Sequence, residues 1–334
     1  MKPFEWVTPK SERQVVEQLI EGKGASVVKA GGVDLVDRMK LGIDAPARLI
    51  NIGSLPSLRF VRAEPAWLRI GPTTTLTQLT IEPALRPRYL AVAEAAGSAA
   101  NVQIRNVATV GGNLLQRPRC WYYRNPDFEC FKKGGSTCYA HKGENRHHAI
   151  LGGGPSYIVH PSTMATALSA FDARLRIVGA DLDKRPMGRE VSLLGDGFFT
   201  LPREDYEREN TLGPSDLIAE ILLPAAGDNV RSAYRSVKER QVFDWPLAEV
   251  AVVLTMKGDV IERARVVLGA AAPIPWRARE AEAELVGRRL TPEVAAAAGN
   301  ASMAGAKPLS HNGYKVPMFV ALVERTLLAA TGKG

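Results

Sequence analysis

Two glycine pairs set the first constraint on this chain. Lys29-Ala30-Gly31-Gly32-Val33-Asp34-Leu35 follows a short apolar run, and Thr109-Val110-Gly111-Gly112-Asn113 stands roughly 80 positions later, after an alanine-rich stretch. Glycine lets the backbone approach a neighbour without a Cβ and adopt positive φ, so each pair can gather N–H groups around an anion such as a pyrophosphate. Asp34 stands where it can cap a following helix, and Thr109 and Asn113 can add side-chain hydrogen bonds. Neither segment matches G-x-G-x-x-G. The alternatives are a phosphate cradle of another design or two ordinary turns.

Around these segments the apolar pattern divides the chain. With 334 residues, 46% of them hydrophobic, two or three packed units are expected. Residues 14–20 and 35–40 have helical spacing, and 26–29 reads as a strand, which makes a small α/β unit. Residues 49–52 and 67–70 are strand-like, 75–80 and 90–100 helical, and a second unit begins near Gly53. Helical spacing returns at 164–171, and strands are expected at 175–178 and at 217–224, the latter ended by Pro224. The Ala225-Ala226-Gly227-Asp228 turn marks a boundary. Beyond it come strands at 233–237, 248–256 and 263–268, then alanine-rich helices from Trp276 onward.

Between Leu115 and Pro161 this regularity fails, over a length that a compact domain rarely leaves unorganised. The three cysteines of the chain, Cys120, Cys130 and Cys138, all fall here, amid aromatic residues, prolines and His141, His147 and His148. That distribution is unlike a disulfide framework. Soft thiolates in a long loop suit iron–sulfur or zinc ligation, although the spacings match neither ferredoxins nor zinc ribbons. Three buried, inert thiols fit the spacing as well. The histidines offer nitrogen ligands or ordinary loop hydrogen bonds.

Several functions lack their signatures. The formal net charge of +8 is spread over isolated residues and short pairs interleaved with acids, which points to a solvated or acid-docking face and not to nucleic acid. MKPFEWVTPK has no apolar export segment and no apolar run is long enough to span a bilayer, so a cytoplasmic chain without membrane insertion is expected. Neither G-x-S-x-G nor H-E-x-x-H occurs.

AGGVDL and ATVGGN resemble the paired pyrophosphate loops of the flavoprotein subunits of the xanthine dehydrogenase and carbon monoxide dehydrogenase family, and the similarity runs through essentially the whole chain. The resemblance implies an α+β fold. A two-part FAD-binding domain of the vanillyl-alcohol-oxidase type would occupy residues 1–228, with subdomains about 1–53 and 54–228 and a cysteine-rich insertion about 115–160. A smaller α+β domain of the CO dehydrogenase flavoprotein type would follow over 229–334. FAD would lie against Lys29, Ala30, Gly31, Gly32, Val33, Asp34 and Leu35, and against Thr109, Gly111, Gly112 and Asn113.

The family places a carboxylate on the adenine-side ribose from a motif like HPSDMA. Here the stretch is His160-Pro161-Ser162-Thr163-Met164-Ala165, so Thr163 supplies one hydroxyl oxygen where a carboxylate supplies two. Ile218 falls where family members pack an aliphatic residue on the cofactor, and an ordinary core role fits it equally. Tyr234-Arg235-Ser236-Val237-Lys238 resembles the basic strand near the isoalloxazine, which makes Arg235 and Lys238 either flavin-side cations or residues of a solvated edge.

The insertion is similar to that of a subgroup including 4-hydroxybenzoyl-CoA reductase and periplasmic aldehyde oxidoreductases, in which four cysteines hold a [4Fe–4S] cluster. Cys120, Cys130 and Cys138 would be three ligands, and Ser156 stands at the fourth position. A serine oxygen is harder and more basic than a thiolate, which leaves a Ser-ligated cluster, a cubane with one labile iron, or no cluster. The implied partners are a molybdopterin-binding large subunit, a [2Fe–2S] small subunit and an external electron acceptor, and co-export with a partner would place the complex in the periplasm. Two other readings stay open: a self-contained FAD oxidoreductase, and a zinc- or nucleic-acid-binding protein built on the cysteine–histidine loop.

Overall fold

In the computed structural model of the chain, residues 1–86, 88–180, 186–194, 197–240 and 242–332 are described, and they form three sheets. The first contains β1 (Glu5–Val7), β2 (Ser26–Lys29) and β3 (Arg48–Asn51), in the order β1-β3-β2 and all parallel. Parallel neighbours need crossovers, supplied here by α1 (Glu12–Glu21) and α2 (Val33–Lys40). Ser11 caps α1 by accepting the Gln14 N–H, and the helix buries Val15 and Leu19 against Ile50 and Ile52.

The second sheet is antiparallel, in the order β4-β5-β8-β6-β7. β4 (Val61–Ala63) and β5 (Trp67–Ile70) precede a run of helices: α3 (Leu76–Ile81), α4 (Leu90–Ser98), α5 (Val102–Val107), α6 (Val110–Leu114), α7 (Trp121–Arg124) and α8 (Thr163–Ala170). β6 (Arg174–Ala180), β7 (Pro186–Ser192) and β8 (Leu217–Pro224) complete it. β6 alternates, with Leu175 and Ile177 turned to the core. β8 is buried along both faces because two cores meet on it. Leu217 joins the cluster around β3, whereas Ile218, Ile221 and Leu223 join the main core with α4 and α8. Glu220, the one acid of this strand, is paired with Arg176 at 2.8 Å and with Arg69.

The third sheet runs β12-β11-β10-β9, from β9 (Val230–Val237), β10 (Ala248–Lys257), β11 (Val260–Gly269) and β12 (Trp276–Arg277). Helices α9 (Arg279–Leu285), α10 (Pro292–Ala301) and α11 (Lys315–Ala330) cover one face, where Phe319, Val323 and Leu327 are buried with Val250, Val252 and Leu254. Trp276 was expected to begin a helix and instead pairs with Leu268 at the sheet edge. Pro273 and Pro275 bias the preceding residues away from helix. Among the described residues no helix is long and apolar enough to cross a membrane.

The cysteine-bearing segment, expected as an insertion within one domain, packs against two units. Arg117 and Lys132 each pair with Glu209 at 2.8 Å on the side of the second sheet. On the other side Ile150 N–H donates to Ala271 O at 2.9 Å, Lys307 N–H to Ile150 O at 2.7 Å, and Asn312 Nδ2 to His148 O at 3.1 Å. Its middle is organised by aromatic contacts, Tyr122 to Phe128 at 5.1 Å and Phe128 to Tyr139 at 5.0 Å between ring centres.

Candidate functional site

A cavity of about 530 Å³ is lined from β2, α2, the region of α5 and α6, β8 and the segment before β10. The whole of segment 29–35 borders it, together with Thr109, Gly111, Gly112, Asn113, Thr163, Ile218 and Lys238. Arg235 does not: it is exposed on the edge strand β9, as the solvated-edge alternative predicts.

The two glycine pairs do different work. A Cβ on Gly31 would stand 2.2 Å from the Val107 carbonyl oxygen, so a side chain there is incompatible with the contact between this segment and the end of α5. Gly32, at φ +78°, is the N-cap of α2 and offers no side chain, so the opening N–H groups of that helix have no side-chain cap. An uncapped helix start beside a glycine nest favours an anion.

The second pair is helical and not a loop. Thr109 opens α6 and its Oγ1 accepts the Gly112 N–H at 3.2 Å, while Val110 and Gly111 donate to Thr74 O and Pro72 O, both at 2.9 Å. Asn113 N–H donates to Thr109 O at 2.8 Å. These amides are already engaged, unlike the uncapped start of α2. Asn113 Oδ1 accepts from Ser162 Oγ at 2.8 Å and Met164 N–H at 3.1 Å, which leaves Nδ2 as the donor it offers.

Asp34 is not a helix cap. It lies inside the first turn of α2, where its carboxylate meets Arg38, Arg124 at 2.7 Å and Arg119 at 3.1 Å, and accepts the Arg117 N–H at 3.0 Å. Burial pushes this carboxyl up, but Arg38, Arg124, Arg119 and the Arg117 amide outweigh it and hold it below the usual carboxylate range. The acid beside the uncapped start of α2 is thus neutralised by its neighbours. Lys29 reaches Asn51 Oδ1 at 3.4 Å and lies 5.3 Å from the Trp6 ring, and Lys238 donates to Ser98 O. Burial lowers the Lys238 pKa, partly opposed by Glu249.

Residue-type reasoning overlooked Arg119 and Glu249. The Arg119 guanidinium lies over the Trp245 ring at 4.1 Å, and both residues line this cavity and a second one of about 200 Å³. That second space reaches Cys120, His148 and Glu249.

The three cysteines are free thiols, with Cys130 buried. Cys120 Sγ lies 3.2 Å from His148 Nε2, and burial pushes its thiol up to about 12 against the N–H groups of Tyr123 and Tyr122. Burial raises Cys138 too, opposed by the N–H groups of Tyr157, Ala140 and His141. Ser156 is buried immediately before Tyr157. Of the other histidines, His141 stacks on Tyr157 at 5.0 Å and His147 lies 3.6 Å from Glu239. Among the described residues no three His, Cys, Asp or Glu side chains form a group that holds a metal ion, whether zinc or the iron of a cluster.

Residues 2–226 match the family described as the FAD binding domain in molybdopterin dehydrogenase, and residues 232–330 match the CO dehydrogenase flavoprotein C-terminal domain. The chain is 33% identical over 302 residues to the FAD-binding subunit of an aldehyde oxidoreductase of Escherichia coli (strain K12), covering 89% of this chain and 88% of that one. It is 29% identical over 332 residues to the carbon monoxide dehydrogenase medium chain of Hydrogenophaga pseudoflava, covering 98% and 96%. A solved structure of carbon monoxide dehydrogenase from the same organism matches with a TM-score of 0.76 at 28% identity, covering 100% of this chain and 99% of that one. The expected FAD-binding domain followed by a CO dehydrogenase flavoprotein C-terminal domain is therefore the architecture found, and the chain belongs to the FAD-binding medium subunits of the xanthine dehydrogenase and carbon monoxide dehydrogenase family.

Proposed function

We propose that this chain is the FAD-binding, electron-relaying subunit of a heteromeric molybdenum hydroxylase or reductase. It would pass electrons between the [2Fe–2S] centres of a small subunit, themselves linked to a molybdopterin-binding large subunit, and an external acceptor. The observation that carries the reading is the meeting of both glycine segments, Thr163, Ile218 and Lys238 on one cavity beside the uncapped start of α2.

The donor set fits FAD. The amides at the start of α2 and of the Gly31-Gly32 pair would take the pyrophosphate, and Asn113 Nδ2 and the Thr163 hydroxyl would address polar groups of the nucleotide. Ile218 gives an apolar surface and Lys238 a cation at the cavity wall. FAD, when bound, supplies a two-electron store that exchanges electrons one at a time or in pairs.

For an iron–sulfur cluster the insertion offers three thiols, but among the described residues they are not gathered into a metal-holding group. Cys120, Cys130 and Cys138 would be thiolate ligands, with backbone N–H groups facing Cys120 and Cys138, and Ser156 beside Tyr157 would stand at the fourth place.

The test is co-purification with native partners and quantification of FAD, iron, sulfide and molybdenum, with Ser156→Cys alongside. Stoichiometric FAD with molybdenum and iron on the partners is expected. Absence of flavin absorbance and of FAD released on denaturation, from the chain alone and from the complex, overturns the reading. A rise in iron by a whole cubane in Ser156→Cys shows that the native insertion carries no cluster.

A further inference from the structure

Glu249 is the one acid in the otherwise apolar core of β10. Its neighbours Ala248, Val250, Ala251 and Val252 are fully buried, and it is itself 1% exposed. A carboxylate in such a place must have its oxygens hydrogen-bonded. Three hydroxyls meet it. Thr163 Oγ1 donates to Oε1 at 2.8 Å, Tyr234 OH donates to Oε1 at 2.9 Å, and Thr166 Oγ1 donates to Oε2 at 3.1 Å. Nor is there room for another side chain on this side. A Cβ on Gly269, across the ladder on β11, would stand 2.1 Å from Glu249 Oε2 and 2.3 Å from Thr166 Oγ1.

Thr163 is therefore not a free hydroxyl. A threonine hydroxyl has one hydrogen and two lone pairs, and here the hydrogen is directed to Glu249. What Thr163 offers to the cavity it lines is lone pairs alone, polarised by the carboxylate behind them. An acceptor-only group carrying borrowed negative charge is what a carboxylate at position 163 would itself present.

We infer that Glu249 is a positioning residue for the nucleotide: it fixes Thr163 as an obligate hydrogen-bond acceptor for a hydroxyl of bound FAD, so that a carboxylate on β10 sets the bonding character that α8 presents to the cavity. This rests on the FAD reading above. Burial raises the Glu249 pKa, opposed by the hydrogen bonds of Thr163, Tyr234 and Thr166 that hold the carboxylate in place and by the charge of Lys238.

The experiment measures FAD affinity of the full chain by flavin fluorescence, with the melting temperature of each FAD-free variant recorded in parallel. Thr163→Val and Glu249→Gln are each expected to weaken FAD binding about tenfold, the size of one charge-assisted hydrogen bond. Because both remove one arrangement, the double variant T163V/E249Q should bind within about twofold of T163V. Thr163→Asp alone sets two carboxylates against each other and weakens binding. In T163D/E249Q the amide introduced on β10 can donate to the carboxylate introduced on α8, and affinity should return to within about twofold of native.

Unchanged affinity in E249Q overturns the inference. So do losses that multiply in the double variant, or a T163D/E249Q chain that binds no better than T163D. Should E249Q fail to fold, the comparison of T163D with T163D/E249Q still decides. A native chain that binds no FAD overturns the flavin reading and this inference together.

Discussion

The Asp34 carboxylate and the Arg124 guanidinium meet at 2.7 Å across ninety positions of sequence, and this ion pair fastens the first glycine segment to the cysteine-bearing insertion. Arg119 joins it at 3.1 Å, and both arginines also reach Asp37. The two regions that carry the chemistry are thereby one electrostatic unit. Removing one partner of a buried pair leaves the others uncompensated, so Asp34→Asn should cost about 3 kcal/mol and loosen the insertion first. Thermal melting with limited proteolysis of residues 115–160 checks this. A variant that melts with the native chain and resists protease equally would contradict it.

Gly31 and Gly53 separate close approach from mere flexibility. A Cβ on Gly31 meets a backbone carbonyl oxygen at 2.2 Å, which cannot be relieved by a side-chain rotation, whereas on Gly53 the nearest atom is Asn51 Oδ1 at 3.4 Å. Gly31→Ala must push the first segment away from α5 and should weaken FAD binding at least about tenfold. Gly53→Ala should stay within about twofold. Equal affinities in a titration of the two variants would show that the contact with α5 does not shape the site.

His160 predicts an acid-sensitive step. The ring is 3% exposed, packs at 4.6 Å from Phe199, and accepts the Ser162 N–H at Nδ1. Burial lowers its pKa to about 4, opposed by Glu209. A folded-state pKa below the unfolded value of about 6.5 means that the contribution is fully present above that value and is lost as pH falls through the folded pKa. Stability should decline between about pH 6.5 and about pH 4, by on the order of 3 kcal/mol in total. His160→Gln should flatten melting temperature against pH in that window. An unchanged slope would place the acid sensitivity elsewhere.

Periodicity made the longer central strands and most helices legible because burial writes itself into local alternation, as in β6 and α1, but not the short or edge strands β1, β4, β7 and β12. The helix α6 was not legible. Val110-Gly111-Gly112-Asn113 has poor helix propensity, and what makes it helical is the Thr109 cap with tertiary bonds to Thr74 and Pro72. Asp34 reads locally as a cap, and only the distant arginines, brought close by the fold, give it another role. Arg235 and Lys238 share a basic segment, yet Arg235 lies in β9 and faces solvent while Lys238, just past its end, borders the cavity. Glu249 did leave a signal, a lone acid inside an apolar strand, but the hydroxyls that explain it come from α8 and β9.

Cys120 and His148 provide a last check on the insertion. With Sγ 3.2 Å from His148 Nε2 and burial lifting the thiol to about 12, a metal-free Cys120 is almost wholly protonated at pH 8. The thiolate is the reactive species, so alkylation by iodoacetamide should be on the order of a thousandfold slower than for a free cysteine, whose pKa is about 8.5. Timed labelling of metal-free chain, read by peptide mass spectrometry, measures this. His148 is itself held neutral by burial, at about 4, so it provides no cation at pH 8 to draw out the thiolate. A Cys120 that labels at the free-cysteine rate would mean that the insertion opens in solution without metal, and that the packing against Asn312 and Ala271 does not by itself close it.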